Sequence, residues 1–181
     1  KGNLKSPNMN QTYSIGANTE NNKGLVYVAL GDSLTAGVGV DNYQQSYPYL
    51  IGEKLAVKNN ITLKNRSVMG FKSNDLKNVL LPLAISDKPD IVTLLIGVND
   101  IHNNISKEDF KNNYEQILKS LTQETKAKIY IINIPFIGSN NLILPPYNYY
   151  FDFRTNEFNK IIKNLAEENN VPYIDLYSST I

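Results

Sequence analysis

LVYVALGDSLTAGVG, residues 25–39, joins an apolar run to a turn of glycine and polar residues. Its first six residues, 25–30, are largely apolar with strand composition, and they run straight into Gly31, Asp32 and Ser33, where a strand stops. A serine placed there sits on an exposed strand end rather than inside an element. Two readings of Ser33 stand side by side. It is a nucleophile, or it is the N-cap of the next helix, because Ser or Asp just after a strand commonly starts one. What separates them is whether polar signals further along the chain also fall at strand ends.

Further along, Pro48 suits the first turn of a helix over residues 47–58, with Leu50, Ile51 and Leu55 on its buried side. A strand over 61–68 follows, and Met69, Gly70 and Phe71 make a bend before the next helix. Ser73 is a reasonable cap there, Leu76, Val79, Leu80 and Leu83 form the apolar stripe, and Pro82 ends or bends the helix. Residues 91–96 are a continuous apolar run, as expected for the buried central strand of a parallel sheet, and they too end in glycine and polar residues, at Gly97, Asn99 and Asp100.

Ser106 with Asp109 approximates a capping box that opens a helix over 107–125, with Phe110, Tyr114, Ile117 and Leu121 on one face. A strand over 127–135 leads into a long Asn, Pro and Tyr stretch at 138–150, a length typical of binding loops or lids. Tyr147, Tyr149, Tyr150 and Phe151 there either pack the loop onto the body or face a substrate. A helix over 153–169, with Phe158, Ile161, Ile162 and Leu165 inward, and a strand over 172–176 complete the pattern. Strands separated by helices over five rounds predict an α/β fold: a five-stranded parallel sheet between two helical layers, an α/β/α sandwich.

The chain has 181 residues, 41% hydrophobic and 19% charged, which suits one globular domain with a sizeable core. With 18 basic and 17 acidic residues the formal charge is +1, so the electrostatic footprint of a nucleic-acid binder is missing. Cysteine is absent, which excludes disulfides and thiolate metal sites. No apolar run approaches the ~20 residues needed to span a bilayer. Residues 1–24 are a polar N-terminal segment preceding a domain over 25–181. Downstream of a removed secretion signal or lipidated tail, that segment reads as a stalk at a cell envelope; the other reading is an arbitrary chain boundary.

Gly31 to Ser33, Gly70, and Gly97 to Asn99 follow three different strands at the edge where ligands of such sheets bind. A serine oxygen, a glycine amide and an asparagine side-chain amide are the parts needed to attack a carbonyl and hold the charge on its oxygen. GDSLTAG at 31–37, Asn65 with Gly70, and GVND at 97–100 resemble the first three signature blocks of the GDSL or SGNH hydrolase superfamily, with agreement in order and spacing over residues 25–176. The resemblance implies a flavodoxin-like sheet, no metal or other cofactor, and lipase, esterase or carbohydrate deacetylase chemistry on a small-molecule, lipid or glycan ester. It makes Ser33 the nucleophile, puts Gly70 and Asn99 with the Ser33 amide in the oxyanion hole, and makes Asp32 and Asp100 supporting residues. Short or medium acyl esters are the expected substrates.

The chain departs from the family at the fourth block, an Asp-x-x-His near the C-terminus. Asp175 matches a strand-end aspartate that precedes that block, and no histidine stands three residues after it. The single histidine, His102, lies three residues past Asn99. It is read as a rim or loop-ordering residue rather than the base, because a base must approach Ser33 within about 3 Å and the family brings its histidine from the opposite loop. The missing block is expected on a tail beyond residue 181 or on a separate C-terminal fragment of the same protein; the alternative is a noncatalytic carbohydrate- or lipid-binding member.

Overall fold

The computed structural model describes residues 11–16, 24–137 and 143–180. Most of the polar N-terminal segment, and residues 138–142 of the long Asn and Pro stretch, lie outside the described residues.

Six strands, β1 (Thr12–Ile15), β2 (Gly24–Gly31), β3 (Asn60–Ser67), β4 (Ile91–Leu95), β5 (Lys128–Ile132) and β6 (Tyr173–Ile174), form one sheet in the order β1-β3-β2-β4-β5-β6. The five strands from β2 onward are parallel, and β1 joins antiparallel to β3. The sheet therefore has six strands where five were expected. The sixth comes from the polar segment, because Tyr13 and Ile15 alternate with Thr12 and Ser14 and only one face needs to be apolar. The Tyr13 ring stacks on Tyr43 with centroids 4.6 Å apart, which anchors the strand.

Alternation along β2 splits the core. Val28 and Leu30 face one side, where they pack with Leu76, Leu80, Phe110, Tyr114, Phe158 and Ile162. Tyr27 and Ala29 face the other, with Tyr43, Ile61 and Leu63. The helices are α1 (Ser33–Ala36), α2 (Tyr47–Ala56), α3 (Ser73–Asp75), α4 (Leu81–Ser86), α5 (Val98–His102), α6 (Lys107–Glu124) and α7 (Tyr147–Glu168). Helix α2 packs on the Tyr27 side through Ile51 and Leu55, and α4, α6 and α7 cover the Val28 side.

Several helical expectations need correction. Leu50, expected inside, is exposed, because Pro48 and Gly52 are the buried positions of α2. Between α3 and α4 the residues Leu76–Leu80 form a π-helical turn. Its wider winding shifts the apolar stripe, so Val79 within the turn and Leu83 after it are exposed while Leu81 and Ala84 join Leu76 and Leu80 in the core. Pro82 then falls in the first turn of α4, where its missing amide hydrogen costs nothing.

Helix α7 begins at Tyr147 rather than at 153. Tyr147, Tyr149, Tyr150 and Phe151 are therefore helical: Phe151 packs against the main core, and the Tyr150 hydroxyl donates to Asn104 Oδ1 at 2.8 Å. Strand β6 has two residues instead of five, because Asn133 Oδ1 accepts the amides of Leu176 and Tyr177 at 2.7 and 2.9 Å and curls the chain away from the sheet. Among the described residues no helix is long and apolar enough to cross a membrane.

Candidate active site

Gly31 at the end of β2 lies in register with Ser67 of β3 on one side and Leu95 of β4 on the other. Neighbouring strands are about 4.8 Å apart, so three loops leave the sheet from one row. They carry Ser33, Gly70 and Asn99, two, three and four residues further on. The strand order reverses here, since β2 is flanked by β3 and β4.

The turn after β2 removes the N-cap reading of Ser33. The cap of α1 is Asp32, whose Oδ1 accepts the Leu34 amide at 3.0 Å, and Ser33 is the first helical residue. Its Oγ is engaged by no hydrogen bond among the described residues. The turn is also too tight for a side chain at Gly31, where a Cβ would stand 2.1 Å from Thr35 Oγ1 and 2.4 Å from the Leu95 carbonyl oxygen. Gly70 is needed for another reason: its φ of +83° is a left-handed conformation that L side chains rarely adopt.

The loops are tied together by the residues around Asn99. Asn99 Nδ2 donates one hydrogen to the Phe71 carbonyl oxygen at 3.0 Å, which leaves its second amide hydrogen available. Buried Asp100 accepts the Ser73 amide at 2.9 Å and the Ser73 hydroxyl at 2.6 Å. Ser73, expected to be a helix cap, instead bridges two loops. Among the described residues the backbone amides of Ser33 and Gly70 also have no hydrogen-bond partner, so three N–H donors stand unpaired on the three loops. Asn65 is buried in β3, where its Oδ1 accepts the Ser67 hydroxyl.

Two buried carboxyls lie behind this row. Burial lifts Asp32 to about 7; the Leu34 amide opposes the rise and the Asp100 charge adds to it. Its Oδ2 is buried without a hydrogen-bond partner. Burial also raises Asp100, against the stabilising hydrogen bonds from Ser73. Both are enclosed and turned to backbone or side-chain donors, a geometry that orients loops.

His102 is exposed at the end of α5, with its ring edge-on to Phe151 at 5.1 Å between centroids. Asp175 lies after β6, held below the usual carboxylate range by the Ser178 hydroxyl and amide and by Asn133. Among the described residues no group of three His, Cys, Asp or Glu side chains is arranged to hold a metal ion. The contacts that sequence reading missed are Phe71 as the partner of Asn99, Ser73 as the partner of Asp100, and Tyr47, whose hydroxyl lies 2.9 Å from Thr35 Oγ1. Each joins residues 12 or more apart, and no local pattern signals such a pairing.

A family model described as the GDSL-like lipase/acylhydrolase family matches residues 29–180. An acetylxylan esterase from Geobacillus stearothermophilus is 28% identical over 137 residues, which cover 70% of this chain and 60% of that protein, so the chain spans less than two thirds of that relative. The crystal structure of AlinE4, an SGNH-hydrolase family esterase, is similar with a TM-score of 0.67 at 26% identity, over 84% of this chain and 76% of the other. The lipase/acylhydrolase from Enterococcus faecalis is similar with a TM-score of 0.69 at 26% identity, over 86% of this chain and 77% of the other.

Proposed function

The chain belongs to the GDSL-like lipase/acylhydrolase family, and from that premise we propose that it supplies the nucleophile and oxyanion hole of a serine esterase. Ser33 Oγ attacks the carbonyl carbon of a carboxylic ester, and the carbonyl oxygen takes up the negative charge. The Ser33 amide, the Gly70 amide and Asn99 Nδ2 receive that charge. The proton leaving Oγ passes to the histidine of an Asp-x-x-His segment expected beyond residue 181 or on a separate C-terminal fragment, and from there to the departing alcohol. Water then releases the acyl group from Ser33.

One observation supports the proposal: Ser33, Gly70 and Asn99 follow three adjacent parallel strands whose ends lie in one row, and among the described residues the Ser33 Oγ, the Ser33 and Gly70 amides and the second Asn99 amide hydrogen have no hydrogen-bond partner. Asp32 and Asp100 act as supports, the first capping the nucleophile turn and the second holding the Phe71–Ser73 loop. His102 belongs to the rim.

A carbohydrate O-deacetylase is the second reading, favoured by the similarity to the acetylxylan esterase. Acetyl esters of sugars and longer acyl esters, compared on the full-length protein, separate the two. Treatment of that protein with a serine-reactive fluorophosphonate tests the hydrolase reading itself. Covalent mass gain at Ser33 is expected; a protein that binds glycan or lipid but leaves Ser33 unlabelled is a noncatalytic module instead.

A further inference from the structure

The nucleophile sits on a helix of four residues, Ser33–Ala36, far too short to hold its own shape. Its ends are fixed by Asp32 at the cap and by Gly37, whose amide reaches back to Leu34 at 3.3 Å. Those contacts close the turn on itself but do not attach it to the body of the protein. Ala36 packs it against the body, and the one side-chain hydrogen bond from α1 to another element among the described residues is made by Thr35, which is fully buried. Thr35 Oγ1 occupies the space that a side chain at Gly31 would need, and it lies 2.9 Å from the hydroxyl of Tyr47 on α2.

We propose that Tyr47 is a positioning residue for Ser33, acting through Thr35; the proposal rests on the hydrolase reading above. Tyr47 is the first residue of α2, so its hydroxyl links the start of that helix to the underside of the nucleophile turn. The same buried layer continues across the sheet, where Tyr27 on β2 meets Thr93 on β4 with the two hydroxyls 2.9 Å apart. β4 is the strand that delivers Asn99. Burial pushes the Tyr47 phenol up to about 12, with Thr35 and Thr93 opposing the rise and the Asp32 charge adding to it. At neutral pH the phenol therefore keeps its proton and can donate a hydrogen bond.

A hydroxyl in this place restrains rotation of α1 about the end of β2. Without it Thr35 Oγ1 is left buried and unpaired, the turn loosens, and Ser33 spends less time where its Oγ can reach a carbonyl held by Gly70 and Asn99. Substrate affinity is untouched, because neither Tyr47 nor Thr35 is among the proposed oxyanion or nucleophilic groups. The loss falls on kcat and leaves KM in place.

The test uses the full-length protein and two readings, the rate of Ser33 labelling by a fluorophosphonate and kcat on p-nitrophenyl acetate. Tyr47→Phe and Thr35→Val each remove one partner of the contact, and each is expected to slow both rates roughly tenfold with KM within twofold, the scale of one lost hydrogen bond. The double variant is expected to be no slower than either single one, since both break the same contact. Equal rates in Tyr47→Phe and the unsubstituted protein overturn the proposal, as do losses that multiply in the double variant or that appear in KM alone. If Tyr47→Phe does not fold, Thr35→Val decides by the same criteria. An unsubstituted protein that is not labelled at Ser33 removes the hydrolase reading, and this proposal falls with it.

Discussion

The side-chain amide of Asn99 donates to the backbone carbonyl oxygen of Phe71 at 3.0 Å, across 28 residues of chain. That bond aims the asparagine, because an amide with one hydrogen fixed presents the other in one direction. It also ties the loop after β4 to the loop after β3, one residue past Gly70. Asp100, next in sequence, repeats the tie through Ser73. Two consecutive residues after β4 thus hold the segment from Phe71 to Ser73.

Asn99→Ala removes the proposed donor while deleting only part of a half-buried side chain. The fold is expected to survive, and kcat for ester hydrolysis to fall by roughly a hundredfold or more, about 3 kcal/mol in the barrier. Circular dichroism together with steady-state kinetics on the full-length protein checks both halves; unchanged kcat removes Asn99 from the oxyanion hole.

Asp32 makes stability depend on pH in a direction opposite to most carboxylates. Burial raises it to about 7 in the folded protein, whereas the unfolded chain releases the same proton near 4. The folded state therefore holds more protons between those values, and the stability Asp32 contributes is fully present below about pH 4 and lost as pH rises through 7. Asp32→Asn keeps a good helix cap but removes the titration. Urea unfolding from pH 4 to 8 is expected to show the variant gaining on the parent as pH rises, by on the order of a few kcal/mol. Parallel curves for the two proteins reject the buried, proton-holding carboxyl.

Gly31 and Gly24 stand at opposite ends of β2 and differ in the space around them. A Cβ at Gly31 meets Thr35 Oγ1 at 2.1 Å and the Leu95 carbonyl oxygen at 2.4 Å, whereas one at Gly24 meets nothing within 4 Å. Gly31→Ala is expected to lower stability by roughly 3 kcal/mol, and Gly24→Ala to be neutral or stabilising by up to about 1 kcal/mol. Similar melting temperatures for the two variants contradict the close packing of the turn after β2.

His102 packs edge-on to Phe151 and is exposed. His102→Ala is expected to keep phosphonate labelling of Ser33 within about threefold of the parent, since a single exposed packing contact is worth well under 1 kcal/mol. Abolished labelling makes His102 the base and removes the need for a histidine from elsewhere.

Much of this arrangement was legible locally. The run Ile91–Leu95 is continuous and apolar because a central parallel strand is covered on both faces, and helix α6 shows its inward residues at helical spacing behind a Ser106 cap. The beginning of α7 was hidden by composition: Pro146 and a run of tyrosines read as loop, yet contacts from Tyr150 to Asn104 and from Phe151 to His102 hold those residues in a helix. Strand β1 was hidden for the same kind of reason, since four residues in a polar segment acquire a strand's stability only from β3 beside them.

What the amino-acid order alone determined was the alternation of strands with helices and the three strand ends bearing Ser33, Gly70 and Asn99, because periodicity and turn chemistry depend on near neighbours. The tertiary structure decided that Asp32 rather than Ser33 caps α1, that Asp100 is given to Ser73, and that Tyr47 reaches Thr35. Those choices follow from which polar atoms are enclosed together when helices close over the sheet. A buried donor or acceptor must find its partner there, however far away along the chain that partner lies.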